Sequence, residues 1–172
     1  KNNNLLSKNN KKKPIINIGG DHSMAISTIA SSLNYNKNTK IIYIDAHPDI
    51  NNYENSKTKN YHGMPLSFLS NIDNNKKLSF IDNKLNLNNL LYIGIRDIDS
   101  YEKEIIKKHK IQYINVFEIN YNLNYTLNKI NKFINNEKVH ISLDIDSIEP
   151  NHVSITGLNV PNGINKNNLK IL

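Results

Sequence analysis

Five short runs of this chain are largely apolar and rich in Ile, Val and Tyr: PIINI, KIIYI, LLYIGI, IQYINV and VHISLDI. Runs this short, without alternation, suit strands buried on both faces, as in a parallel sheet. The segments between them carry helical spacing. SMAISTIASSL places Ile26, Ile29, Ala30 and Leu33 on one face. DSYEKEIIKKHK begins with Asp99 and Ser100 as caps, with its acids early and its lysines late, as the helix dipole favours. NLNYTLNKINKFI repeats Leu123, Leu127, Ile130 and Ile134 on one face. Strand and helix in alternation predict an α/β domain with right-handed crossovers.

Four of the runs end in reactive side chains. PIINI leads to Asp21 and His22, KIIYI to Asp45, His47 and Asp49, LLYIGI to Arg96, Asp97 and Asp99, and VHISL to Asp144, Asp146 and Glu149. Parallel sheets bind ligands beyond the carboxyl ends of their strands, so these groups are expected on one rim. Asp45, His47 and Asp49 lie at alternate positions and project to one side of extended backbone; Asp144 and Asp146 repeat the spacing. Gly19 and Gly20 are read as permitting a sharp turn into the helix. A single Asp-Ala-His is more often a loop or a cap. Two such clusters closing apolar runs, with a His after a double Gly, are harder to explain without a cation, since burying unpaired acids costs several kcal/mol each. Four carboxylates (Asp45, Asp49, Asp144, Asp146) and two imidazoles (His22, His47) are too oxygen-rich for structural zinc and carry too much nitrogen for calcium. They suit Mn²⁺, with Fe²⁺ or Co²⁺ as substitutes. Four negative charges balance two divalent ions, which together can turn a shared water into a nucleophile. The expectation is a binuclear hydrolase.

Composition narrows the partners. The formal net charge is +7 over 172 residues, which raises nucleic-acid binding as an alternative. Asn makes up about a fifth of the chain, and apart from Lys11–Lys13 the lysines are scattered among the asparagines. The charge therefore reads as compositional bias, with no nucleic-acid partner. There are no cysteines, which excludes disulfides and thiolate metal sites. No apolar run approaches the ~20 residues of a membrane span, and no secretory signal is visible, so the expected setting is cytoplasmic. Residues 1–13 read as a basic, disordered lead-in to a domain over 14–172, with a polar insertion around 71–89.

GGDHS, DAHPD, NYHGMP, IGIRDID and SLDIDSIEP, in this order, resemble the signature blocks of the arginase and agmatinase (ureohydrolase) family. They span the chain from about Gly19 to Gly163. The resemblance implies a three-layer αβα fold with a mostly parallel central sheet, two manganese ions and, at full length, a homo-oligomer, a trimer. It implies that His22, Asp45, Asp49 and Asp144 hold one ion, that His47 and Asp146 complete the other, and that Asp45 and Asp144 bridge. Within the family the resemblance is greatest to arginases. His62 is then the expected acid/base residue beside Asp146; Asn51, Thr58 and Asn60 are expected on the α-carboxylate of L-arginine, and Asp99 on its α-amino group. Thr58 stands where Ser is usual, Lys59 where a small residue is usual, and Glu149 where Asp is usual. The implied reaction is hydrolysis of L-arginine to L-ornithine and urea. Agmatinase activity and an inactive metal-binding fragment are the alternatives. The resemblance also implies a domain incomplete at both ends: the family's N-terminal strand and helix are not visible, and its guanidinium-gripping Glu lies in a later region absent from this sequence.

Overall fold

The structure, a computed structural model, describes residues 14–73, 78, 81–153 and 156–172. The lead-in at 1–13 and part of the 71–89 stretch lie outside the described residues. Four strands form one fully parallel sheet: β1 (Lys40–Ile44), β2 (Leu90–Ile93), β3 (Gln112–Ile114) and β4 (Val139–Leu143), in the order β3-β2-β1-β4. The chain steps from β1 outward through β2 to β3, then returns to place β4 on the other side of β1. The carboxyl ends of β1 and β4 therefore flank the topological switch point, the usual ligand crevice of such sheets.

Helices cover both faces. On one lie α1 (Met24–Tyr35), α2 (Pro65–Ser70) and α3 (Ser100–His109), enclosing Ile29, Leu33, Ile41, Tyr43, Leu66, Tyr92 and Ile105. On the other, α4 (Val116–Tyr121) and α5 (Leu123–Ile134) bury Ile42, Ile44, Leu91, Ile93, Ile119, Ile130 and Phe133; a short α6 (Lys166–Leu169) follows. This is the expected three-layer αβα arrangement with a parallel central sheet. The predicted face of α1 and the predicted cap of α3 hold. Ile26, Ile29, Ala30 and Leu33 are buried, and Asp99 caps α3 in a reciprocal capping box with Glu102. The α5 face is shifted: Thr126, Ile130 and Phe133 are its buried residues, because the aromatic ring reaches the sheet. Within the 71–89 stretch, Ile81 and Leu85 pack into the first cluster.

Three expectations are corrected. PIINI is not a strand: residues 14–18 pair with no strand among the described residues, and Ile16 and Ile18 are 79% and 94% exposed. β4 is not buried on both faces, since Val139, Ile141 and Leu143 are exposed. In register with Ile42 and Ile44, Ile141 and Leu143 point toward the α4–α5 layer, but that layer stops short of the sheet's β4 edge. Gly19 and Gly20 do not adopt positive φ; what Gly19 supplies is space, since a Cβ there would collide with the Met24 side chain. Gly94 is the described glycine that uses left-handed backbone, at φ +89° as β2 ends.

Candidate metal centre

The loop after β1 supplies Asp45, His47 and Asp49, the loop after β4 supplies Asp144 and Asp146, and the turn into α1 supplies His22. All six meet at the β1/β4 switch point. Asp45 is the hub. Its Oδ2 lies 2.7 Å from His22 Nδ1, while its Oδ1 accepts the His47 main-chain N–H at 2.7 Å and faces His47 Nδ1 at 3.5 Å. Around His22 Nδ1 also lie Asp49 Oδ2 at 3.2 Å and Asp144 Oδ2 at 3.4 Å. Around His47 Nδ1 lies Asp146 Oδ2 at 3.1 Å. Two sets that could hold a cation result, His22–Asp45–Asp144 and Asp45–His47–Asp146; within each, one ligand atom per residue lies within 4.8 Å of the others.

Outer contacts fix these side chains. His22 Nε2 sits 2.8 Å from Ser142 Oγ, which leaves Nδ1 for the carboxylates. His47 Nε2 faces the exposed Asp97 at 3.5 Å. Asp144 Oδ1 accepts the Asp146 N–H at 3.0 Å, and Asp146 Oδ1 accepts the Ala46 N–H at 3.2 Å, tying the two loops together. Arg96 spends its guanidinium on main-chain carbonyls, those of Gly94, Asp146, Ser147, Val160 and Pro161, and so braces the Asp146 turn. Glu149 points away from the cage: its carboxylate accepts the Gly163 N–H at 2.6 Å, at an approach so close that a Cβ on Gly163 would strike the Ile148–Glu149 backbone.

The electrostatics show a cluster that demands positive charge. Burial alone would lower the His22 pKa, but the Asp45 and Asp49 carboxylates reverse this and raise it to about 10. Burial likewise opposes protonation of His47, and Asp146 with Asp45 carries it to about 11. Burial and the neighbouring Asp45 charge push Asp49 up to about 7. Burial also works to raise Asp45, and the hydrogen bonds from His22 and His47 overcome it to hold the carboxyl below its ordinary value. Oxygen-rich ligands with imidazole, converging where only cations relieve repulsion, fit hard or borderline divalent ions that would displace those imidazole protons.

The predicted substrate residues divide. Asn51 is buried, and its side-chain amide donates to the Asp99 carboxylate, so these two are brought together. Thr58 and Asn60 lie in an exposed loop, where Thr58 Oγ1 is 3.5 Å from Ser56 Oγ. Lys59 adopts φ +60° and folds its amine onto the Tyr53 and Glu54 carbonyls, which sets this loop's shape. His62 is half-buried in a 3₁₀ turn, Tyr61–Gly63, close enough to Asp21 to help lower its carboxyl pKa, chiefly held down by Ser23.

Sequence reasoning missed Tyr43, Ser142 and Glu102, and placed Arg96 on the rim without its bracing role. Two of these were within its reach: Tyr43 and Ser142 stand two residues before Asp45 and Asp144, one step back along the same alternation. Glu102 is buried and accepts the N–H groups of Ile50 and Asp99, each at 3.2 Å; burial and the adjacent Asp99 raise its pKa to about 8.

Fold and site together define an α/β protein with two His/Asp groups on its carboxyl rim that share Asp45 and could hold metal. Comparison with known proteins agrees. A sequence profile described as "Arginase family" matches residues 3–172. The arginase of Plasmodium falciparum (isolate 3D7) is 42% identical over 172 residues, covering 94% of this chain and 41% of that protein. That of Plasmodium berghei (strain Anka) is 43% identical, covering 98% of this chain and 50% of that protein. Among solved structures, Entamoeba histolytica arginase in complex with L-ornithine superposes with TM-score 0.89 at 32% identity, over 97% of this chain and 59% of that one. Bacillus subtilis arginase superposes with TM-score 0.89 at 30% identity, over 99% and 59%. The chain belongs to the arginase family. It spans about half the length of the curated relatives it matches. No helix among the described residues is long and apolar enough to cross a membrane.

Proposed function

We propose that the protein hydrolyses L-arginine to L-ornithine and urea with two manganese ions. His22, Asp45, Asp49 and Asp144 would hold one ion, and Asp45, His47, Asp144 and Asp146 the other. The observation that carries this reading is Asp45, whose two oxygens face two different imidazoles, so that one carboxylate can serve two ions. A pair of divalent ions there would supply Lewis acidity and water acidic enough to attack at neutral pH. The chain's own residues supply the rest. Ser142 keeps His22 turned with Nδ1 toward the carboxylates. Asp146, held by the Ala46 N–H and the Arg96 clamp on its carbonyl, orients the attacking water. His62 passes a proton from its imidazole to the leaving δ-nitrogen of ornithine. Asn51, Thr58 and Asn60 receive the α-carboxylate and Asp99 the α-amino group, and the Asn51–Asp99 contact supports a shared amino-acid pocket. The E. histolytica arginase solved with L-ornithine lends further support, as ornithine is the product expected here. The proposal extends to a homo-oligomer, a trimer, in the cytoplasm.

The test is urea release from L-arginine and from agmatine, with and without Mn²⁺. Manganese-dependent urea from arginine in preference to agmatine is expected. Preference for agmatine would make the protein an agmatinase, and tight Mn²⁺ uptake with no urea from either would leave a metal-binding fragment.

A further inference from the structure

β1 and β2 each carry a tyrosine at the same register level, Tyr43 opposite Tyr92. Both rings are fully buried and meet edge to face at 6.0 Å. Their hydroxyls reach consecutive residues of the loop beyond β1. Tyr92 donates to the Pro48 carbonyl at 2.8 Å, and Tyr43 donates to Asp49 Oδ2 at 2.8 Å. Asp49 is a residue that needs holding. Its φ of +50° lies in the left-handed region, which side chains with a Cβ seldom adopt. Two buried hydroxyls at that one bend keep the carboxylate aimed into the cage.

Tyr43 does more than Tyr92. Its ring stacks on the His22 imidazole, with centroids 4.6 Å apart and planes at 18°, and its oxygen lies 3.0 Å from His22 Nδ1. One buried phenol thus touches both a histidine and a carboxylate assigned above to the same ion, and none of the residues assigned to the other ion alone. We propose that Tyr43 is a positioning residue for the His22-side ion: it fixes the plane of the Asp49 carboxylate and the tilt of the His22 ring, and so sets the affinity of that ion selectively. Tyr92, bound only to main chain, supports the loop without this selectivity. The inference rests on the two-ion reading.

Calorimetric Mn²⁺ titration of the wild type, with His22→Ala and His47→Ala identifying the two binding steps, provides the frame. Tyr43→Phe keeps the ring and removes one oxygen. It is expected to weaken the step lost in His22→Ala by about 10–100-fold, the usual scale for an outer hydrogen bond to a ligand, and to leave the His47 step unchanged. Tyr92→Phe should lower the thermal midpoint of the metal-free protein without favouring either step. In an Asp49→Ala background Tyr43→Phe should add little, because the carboxylate it positions is gone. Manganese electron paramagnetic resonance offers a second readout: Tyr43→Phe at substoichiometric metal should shift signal toward isolated ions. If the wild type binds two ions and Tyr43→Phe matches it, the Tyr43 inference alone fails. Equal weakening of both steps, shared by Tyr92→Phe, would also overturn it. If the wild type binds no Mn²⁺, the metal reading falls and takes this inference with it.

Discussion

The loop that follows β1 and the loop that follows it in sequence are neighbours built in opposite ways. Residues 45–51 are almost wholly buried, and each carboxylate in them is held from at least two directions. Residues 52–60 are mostly exposed and held by asparagine turns and a lysine lying on backbone carbonyls. The first sits on the strand that anchors both sides of the sheet; the second hangs from it. A cage for ions must be rigid before the ion arrives, because repelling carboxylates will not stay together unaided. The outer loop, proposed to receive an amino acid, has no such demand and can be rebuilt at little cost to the fold, as the left-handed Lys59 illustrates.

The largest expected effect separates the two loops outright. Asp45→Ala should abolish Mn²⁺ uptake at both positions, read by elemental analysis, while the same substitution at Thr58 leaves metal content intact. Next comes the core beneath the rigid loop. Leu33→Ala, at a fully buried position of α1, should cost about 2–5 kcal/mol in denaturant unfolding. A cost below 1 kcal/mol would mean the α1 face is not what supports the cage. Glu102→Ala, which strips acceptors from the Ile50 and Asp99 N–H groups, should cost about 1–3 kcal/mol and loosen both the cage and the Asn51–Asp99 pocket. Because the folded-state pKa of Glu102 is raised to about 8 from 4.5, the folded state binds the extra proton between these values. Its contribution to stability is present below about pH 4.5 and lost as pH rises through 8, and Glu102→Gln should flatten that slope.

His140, within β4, carries the opposite sign. Desolvation lowers its pKa from 6.5 to about 4, and its Nδ1 lies 2.8 Å from Ser32 Oγ. The unfolded chain therefore takes up a proton that the folded one refuses, and stability falls as pH drops from 6.5 toward 4. Denaturation midpoints of wild type and His140→Gln, compared at pH 7 and pH 5, should converge at the lower pH. The smallest stability effect is expected in the exposed loop: Thr58→Ala should change stability by less than about 0.5 kcal/mol while raising KM for arginine. A kcat loss at unchanged KM would contradict its proposed place in an amino-acid pocket.

How much of this could be read from sequence depends on what each residue answers to. The β1 and β2 runs were legible because both faces of those strands are covered, which leaves an unbroken apolar signature. PIINI carries the same signature without a partner strand among the described residues, and no pattern within one segment reports whether a neighbour exists. β4 misleads for the same reason, its exposed Ile141 and Leu143 reading as core. In the site, alternation along a strand end brings Asp45, His47 and Asp49 into view, and followed one step back it reaches Tyr43 and Ser142. Glu102, and the bracing role of Arg96, stayed hidden because their partners are main-chain N–H groups and carbonyls, which leave no trace in residue type.

The proposed centre requires Asp45 to serve two ions at once. Equilibrium dialysis against Mn²⁺ followed by elemental analysis, on the wild type and on Asp45→Ala, tests this directly. Two ions per chain in the wild type and none retained in the variant are expected. A single ion in the wild type, or one that survives loss of Asp45, would contradict it.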